Sequence, residues 1–144
     1  LQNIKQYDGF GGSKALPGST EADDRFVRTA YYLSRLEKPA DLRATIAGIV
    51  SVLRSAAQPY GKADPNRPNI SPTIWRTVAD HTNLDYYFEL TTSPYITWVK
   101  LDKIDLGSTA STKMIDIEGE KDLMGDITDH FTSAEPFKFV LPQA

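Results

Sequence analysis

TIWRTVADHTNLDYYFELTTSPYITWVKL, residues 73 to 101, decides the fold, because here the apolar period changes from that of a helix to that of a strand. Thr73, Trp75, Thr77 and Ala79 alternate with Ile74, Arg76, Val78 and Asp80. Tyr86, Phe88 and Leu90 alternate with Tyr87, Glu89 and Thr91. A period of two places alternate residues on opposite faces of a strand. His81, Thr82 and Asn83 make the turn between the first two strands, and the Ser93-Pro94 break precedes a third, Tyr95 to Leu101. The stretch therefore predicts an antiparallel meander over 73–80, 85–91 and 95–101, rich in aromatic and β-branched residues. Core packing accounts for most of Trp75, Trp98, Tyr86, Tyr87, Phe88 and Tyr95. One or two at a sheet edge can line an acyl or aryl pocket.

Upstream the period is 3.6. Thr20 with Asp23 three residues later has the form of a capping box, and Glu21, Asp23 and Asp24 put negative charge at the favoured end of a helix dipole. A helix is expected over 21–37, with Phe26, Val27, Ala30, Tyr31 and Leu33 on its buried stripe. Lys38 and Pro39 interrupt it. Asp41 then caps a second helix over 41–56, whose apolar positions are Leu42, Ile46, Ile49, Val50 and Leu53. So short a connection predicts antiparallel neighbours. Two loops flank the pair. Residues 7–19 carry four glycines, and 58–72 carry Pro59, Gly61, Pro65, Pro68 and Pro72, too many breakers for regular structure.

Downstream, Met114 to Ile117 and Phe137 to Leu141 are expected as short strands, with Asp122 to Phe131 a loop or weak helix between them. Helices followed by an antiparallel sheet define an α+β chain, with the helix pair expected on one sheet face. Trp75 and Val78 lie on opposite faces of one strand, so both faces carry large apolar groups. A further layer, outside these residues, is inferred beyond the meander.

The chain has 144 residues, 40% hydrophobic and 24% charged, which fits one soluble globular domain. No apolar run approaches the roughly 18 residues of a membrane span. Sixteen Lys and Arg against nineteen Asp and Glu give a net charge of -3 with both signs scattered. That argues against a dedicated nucleic-acid binder, which needs a basic face. There is no cysteine, so these residues supply no disulfide, cysteine-ligated metal or thiol nucleophile. The chain starts at Leu1 with no signal-like segment, which suggests a processed or excised piece.

Arg25 is the most informative residue for chemistry. A cation in the first helical turn opposes the dipole, and this one follows a glycine-rich loop whose amides can face an anion. Two readings stand: a surface ion pair with Glu21 or Asp24, or a site where Arg25 meets a carboxylate, phosphate or developing oxyanion. His81 and His130 are far apart and have no ligand spacing, so each reads as a loop histidine without a chemical role. Glu118, Glu120, Asp122, Asp126 and Asp129 lack the spacing of a calcium loop and read as solvated surface. No P-loop, dinucleotide fingerprint or GxSxG elbow is present, and Gly9, Gly11 and Gly12 follow no predicted strand.

Four stretches carry a resemblance: LPGSTEADDRFVRTAYYL at 16–33, SVLRSAAQPYG at 51–61, PNISPTIWRTVADHTNLDYYFE at 68–89 and YITWVKLDKIDL at 95–106. In order and spacing they resemble the choloylglycine hydrolase family, which includes conjugated bile acid hydrolases and penicillin V acylases. PNIS followed by TIWRTVAD is most similar to the Gram-negative branch, where long-chain acyl amides are also substrates. The resemblance implies the C-terminal half of an N-terminal-nucleophile hydrolase, an αββα sandwich about twice this length. It also implies catalysis by an N-terminal cysteine lying upstream, no metal or organic cofactor, a small acyl amide as substrate, and a homotetramer when complete. The arginine of the family's SRFVR-like motif aligns with Arg25 in DDRFVR, which implies a catalytic role for Arg25. Its guanidinium then depresses the thiol pKa or holds the site in register. Leu16 is implied as apolar wall of the substrate pocket. Asp24, where many relatives have Ser, departs from the pattern and alters how Arg25 is held. The rival reading is a stand-alone domain that binds a ligand or partner without turnover. The compartment, bacterial periplasm or cytoplasm, stays open.

Overall fold

The computed structural model describes residues 18–38, 41–62, 65–66, 72–120 and 122–140. They form two compact units that divide between Thr73 and Ile74.

The first unit holds α1 (Ala22–Arg35) and α2 (Leu42–Ala56), both inside the expected spans. Asp41 starts α2 as expected: its carboxylate accepts the amides of Arg43 at 3.3 Å and Ala44 at 3.0 Å, satisfying donors that have no partner within the helix. The start of α1 differs from the expected Thr20–Asp23 box. The N-cap residue is Glu21, whose side chain makes no capping bond. Moving the cap by one residue puts Asp24, not Asp23, at the third helical position, and Asp24 reaches back to accept the Ser19 amide at 3.0 Å. The Ser19 hydroxyl in turn accepts the Glu21 amide at 3.2 Å.

The buried side of α1 also differs from expectation. Phe26 is 73% exposed and Val27, Ala30 and Leu33 are exposed with it, whereas Asp24, Arg25, Arg28, Thr29 and Tyr31 are half-buried. An apolar stripe marks a face that gains from burial, but it does not say which face the neighbouring helix meets. Here Arg28 meets it, donating from Nε to the carbonyl of Ser55 in α2 at 3.1 Å. At the other end of the pair Leu36 lies against Gly48, where an added Cβ would come 2.7 Å from Leu36 Cδ1. Along α2, Val50 is buried and Ile46, Ile49 and Leu53 half-buried as expected, while Leu42 is exposed. Val52, outside the expected stripe, is also buried. After α2 the Gln58 amide donates to Thr73 Oγ1 at 2.9 Å and the Thr73 amide to the Gln58 carbonyl at 3.1 Å.

The second unit is built on β1 (Trp75–Asp80), β2 (Asp85–Leu90) and β3 (Thr97–Lys100), the antiparallel meander expected from the alternation. The turn after β1 runs to Leu84, one residue further than expected, and Leu84 takes the left-handed conformation with φ 56°. Asp80 fixes that turn, its Oδ1 accepting the amides of Thr82 at 2.9 Å and Asn83 at 3.1 Å. After β3 the expectations are met only in part. β4 (Lys113–Met114) pairs with β6 (Thr132–Ser133), and residues 137–140 are not a strand. Within the expected loop of 122–131 lies β5 (Gly125–Asp126), which joins the main sheet parallel to β3 in the order β1-β2-β3-β5.

Gly125 has φ +77°, a conformation costly for any residue with a Cβ. An added Cβ there would meet only Trp98 Cη2 at 3.7 Å, an ordinary contact. Gly125→Ala is therefore expected to lose about 1–2 kcal/mol from backbone strain alone, read as a lower urea midpoint at unchanged slope.

The two faces of the main sheet differ in chemistry. On one, Asp85, Tyr87 and Glu89 are buried. Tyr87 packs on Trp98 with ring centroids 5.6 Å apart, Arg76 Nε meets Glu89 Oε2 at 2.7 Å, and Lys100 Nζ lies 3.5 Å from Asp85 Oδ1. Burial, with the nearby charges of Asp85 and Asp80, pushes the Tyr87 phenol above its ordinary value. The folded state thus keeps a proton that the unfolded chain loses near pH 10, so this contribution is complete below that pH and is lost as pH rises above it. Tyr87→Phe is expected to flatten the loss of stability as pH rises above about 10 in a melting series. The opposite face carries Tyr86, Phe88, Thr97 and Val99, and with Ile115, Ile117, Ile127 and Phe131 it encloses an open apolar groove of about 180 Å³.

Candidate active site

Arg25 sits in the first turn of α1 with its backbone held by the helix. Its amide donates to the Glu21 carbonyl at 3.0 Å, and its carbonyl accepts the Thr29 hydroxyl at 2.9 Å. The side chain is different. Its Nε is buried and has no hydrogen-bond partner. Of the two carboxylates considered for a surface pair, Asp24 is engaged by Ser19. The Ser19 hydroxyl, its amide and the Arg28 charge hold the Asp24 carboxyl below its ordinary value. A buried donor left unsatisfied costs roughly 1–3 kcal/mol, and native structures seldom retain one without a use.

The lead-in to α1 is held by two side chains. Arg28 Nη1 donates to the Ser19 carbonyl at 2.9 Å while its Nε holds Ser55 of α2. Gln58 Nε2 lies 3.4 Å from the Thr20 carbonyl. The result is a permanently charged, planar donor group with a free N–H, mounted on a braced helix start. It can bind a carboxylate or phosphate, stabilise an oxyanion, or lower the pKa of a thiol brought beside it.

Leu16 and most of the glycine-rich segment lie outside the described residues. The other candidates lie in the second unit. His81 is exposed in the turn after β1, and His130 Nδ1 lies 3.3 Å from Glu120 Oε2 with both side chains about half exposed. Asp126 accepts the Thr128 hydroxyl at 2.6 Å, which, with the Thr128 amide, holds its carboxyl below the ordinary value. Among the described residues no three His, Cys, Asp or Glu side chains gather as a metal site, and no helix is long and apolar enough to cross a membrane. Of the aromatic residues, Tyr86, Phe88 and Trp98 line the groove, and Trp75 at the edge strand is 57% exposed. Arg28 was not singled out in the sequence. The available signal was a second cation three residues after Arg25, near the end of the helix that disfavours positive charge.

The family model for linear amide C–N hydrolases, choloylglycine hydrolase family, matches residues 2–128. The chain belongs to the choloylglycine hydrolase family. A relative, the penicillin V acylase of Pectobacterium atrosepticum, is 36% identical over 148 residues, covering 92% of this chain and 39% of the relative. The solved structure of penicillin V acylase from Agrobacterium tumefaciens superposes with a TM-score of 0.78 at 35% identity, over 95% of this chain and 44% of that one. The α+β class is thus that of a family member of known structure. The chain spans about two fifths of the length of these family relatives.

Proposed function

We propose that these 144 residues are the C-terminal portion of an enzyme that hydrolyses linear amide C–N bonds. Its substrates are acyl amides of the conjugated bile acid, penicillin V or N-acyl homoserine lactone type. Family membership supports the reaction class, and the relatives that carry the name penicillin V acylase support the substrate type. One observation carries the assignment to a residue: the buried, unpartnered guanidinium N–H of Arg25.

The chain contains no cysteine, so the thiol nucleophile comes from the part of the enzyme outside it and this portion is inactive alone. The thiolate attacks the amide carbonyl carbon, forming a C–S bond as the carbonyl electrons move to oxygen. Collapse of that intermediate breaks the C–N bond, and the amine leaves with a proton. Water then adds to the thioester, the C–S bond breaks, and the acid and thiol are released. Arg25 acts by charge in this scheme. Its guanidinium favours thiolate over thiol and attracts the negative charge that develops on attack. The cycle needs no metal or organic cofactor, and the complete enzyme works as a homotetramer.

The test is turnover by the complete protein of penicillin V, a glycine-conjugated bile acid and a long-chain N-acyl homoserine lactone, with amine release as the readout. Hydrolysis of at least one, abolished by a thiol-alkylating reagent, is the expected result. A folded complete protein that cleaves none but binds one of them would instead support a non-catalytic binding domain.

A further inference from the structure

We infer that Arg28 is the positioning residue for Arg25, an inference that rests on the functional reading above. Arg28 lies three residues beyond Arg25 in α1, so one short stretch of backbone carries both groups. Two of its donors reach carbonyls that are 36 residues apart in sequence: Nε meets Ser55 at 3.1 Å near the end of α2, and Nη1 meets Ser19 at 2.9 Å just before α1. One planar group thereby ties the start of α1 both to its own lead-in and to the neighbouring helix. α1 needs that tie because its N-cap, Glu21, supplies no side-chain capping bond. The Arg28 charge also helps hold Asp24 ionised on Ser19. That keeps the carboxylate next to Arg25 in sequence engaged with the lead-in. The arrangement depends on the guanidinium fork. A lysine offers a point charge that cannot span two divergent carbonyls in fixed geometry.

The experiment uses the complete protein as wild type, Arg28→Lys, Arg28→Gln and Arg25→Ala, assayed with whichever of the three amides it cleaves fastest. Active sites are titrated with a thiol reagent, so that kcat is expressed per competent site, and Tm is measured in parallel. The expected result is a fall in kcat of about tenfold for both Arg28 variants, with KM changed less than twofold, because a misdirected Arg25 weakens transition-state stabilisation more than substrate binding. A lower Tm and fewer competent sites at unchanged kcat per site overturn the inference, since a merely structural brace has that signature. Loss of soluble protein in both Arg28 variants overturns it too, by making Arg28 a folding residue. If Arg25→Ala is fully active, the functional reading itself fails. If Arg25→Ala is impaired while both Arg28 variants are normal, only the positioning role fails.

Discussion

Arg25→Ala in the complete protein is expected to lower kcat by about 10²–10³ while leaving thermal stability unchanged or slightly raised. The loss follows from the proposed role. A fixed group aimed at developing charge is worth as much as an oxyanion-hole donor, whose removal costs about that factor. The stability half of the result follows from the geometry. The buried Nε of Arg25 makes no hydrogen bond, so truncation removes a desolvation cost without breaking a bond. Most substitutions at a half-buried structural arginine do the reverse, lowering stability first and activity only with it. Arg25→Lys keeps the charge without the fork and is expected to recover only part of the rate. Steady-state kinetics beside melting curves decide the matter. A variant that loses stability and activity in proportion makes Arg25 a structural residue.

Glu89→Ala is expected to be the most damaging single substitution for stability, at roughly 3–5 kcal/mol. Its partner Arg76 has a side chain only 14% exposed and Glu89 only 6%, at a separation of 2.7 Å. Removing the carboxylate leaves a guanidinium charge buried without its counter-ion, and breaking a buried pair from one side costs about that much. Two comparisons separate this from a simple loss of contact. The double variant Arg76→Met with Glu89→Leu removes both charges and is expected to cost less than Glu89→Ala alone. Lys100→Ala breaks a looser pair, 3.5 Å long with the lysine 40% exposed and Asp85 7%, and is expected to cost less than Glu89→Ala because water already reaches the cation side of the pair. Urea unfolding of the four proteins measures all three differences. A Glu89→Ala cost below that of Lys100→Ala would overturn the burial argument.

Periodicity located α1, α2 and the meander to within a few residues, because each has enough turns or alternations for its repeat to stand out. The cap at Asp41 was legible for a related reason: a short acidic side chain before an apolar helix has one local use. β5 was not legible, since two residues, Gly125 and Asp126, carry no period. Their pairing depends on β3, more than 20 residues earlier. Alternation also assigns residues to faces without saying which face is covered. In β2 the buried set is Asp85, Tyr87 and Glu89, and the more apolar Tyr86, Phe88 and Leu90 are less covered. The same limit applies to α1, where the polar row holding Arg25 and Arg28 is the half-buried one. Within the candidate site, Arg25 could be singled out from its place in the helix and from DDRFVR. That its Nε is buried without a partner, and that Arg28 braces the helix start, depend on contacts between residues tens of positions apart.

The charged face of the sheet also bears on how the strands find one another. Were β2 to slip by one residue against β1 and β3, its side chains would exchange sides. Asp85 and Glu89 would leave Lys100 and Arg76 and point among Ile115, Ile117 and Ile127, while Tyr86 and Phe88 would turn toward the stranded cations. A purely hydrophobic strand would tolerate that error far better. The two ion pairs thus work as a checksum on strand alignment, rejecting a misthreaded hairpin through the cost of two uncompensated carboxylates in an apolar groove.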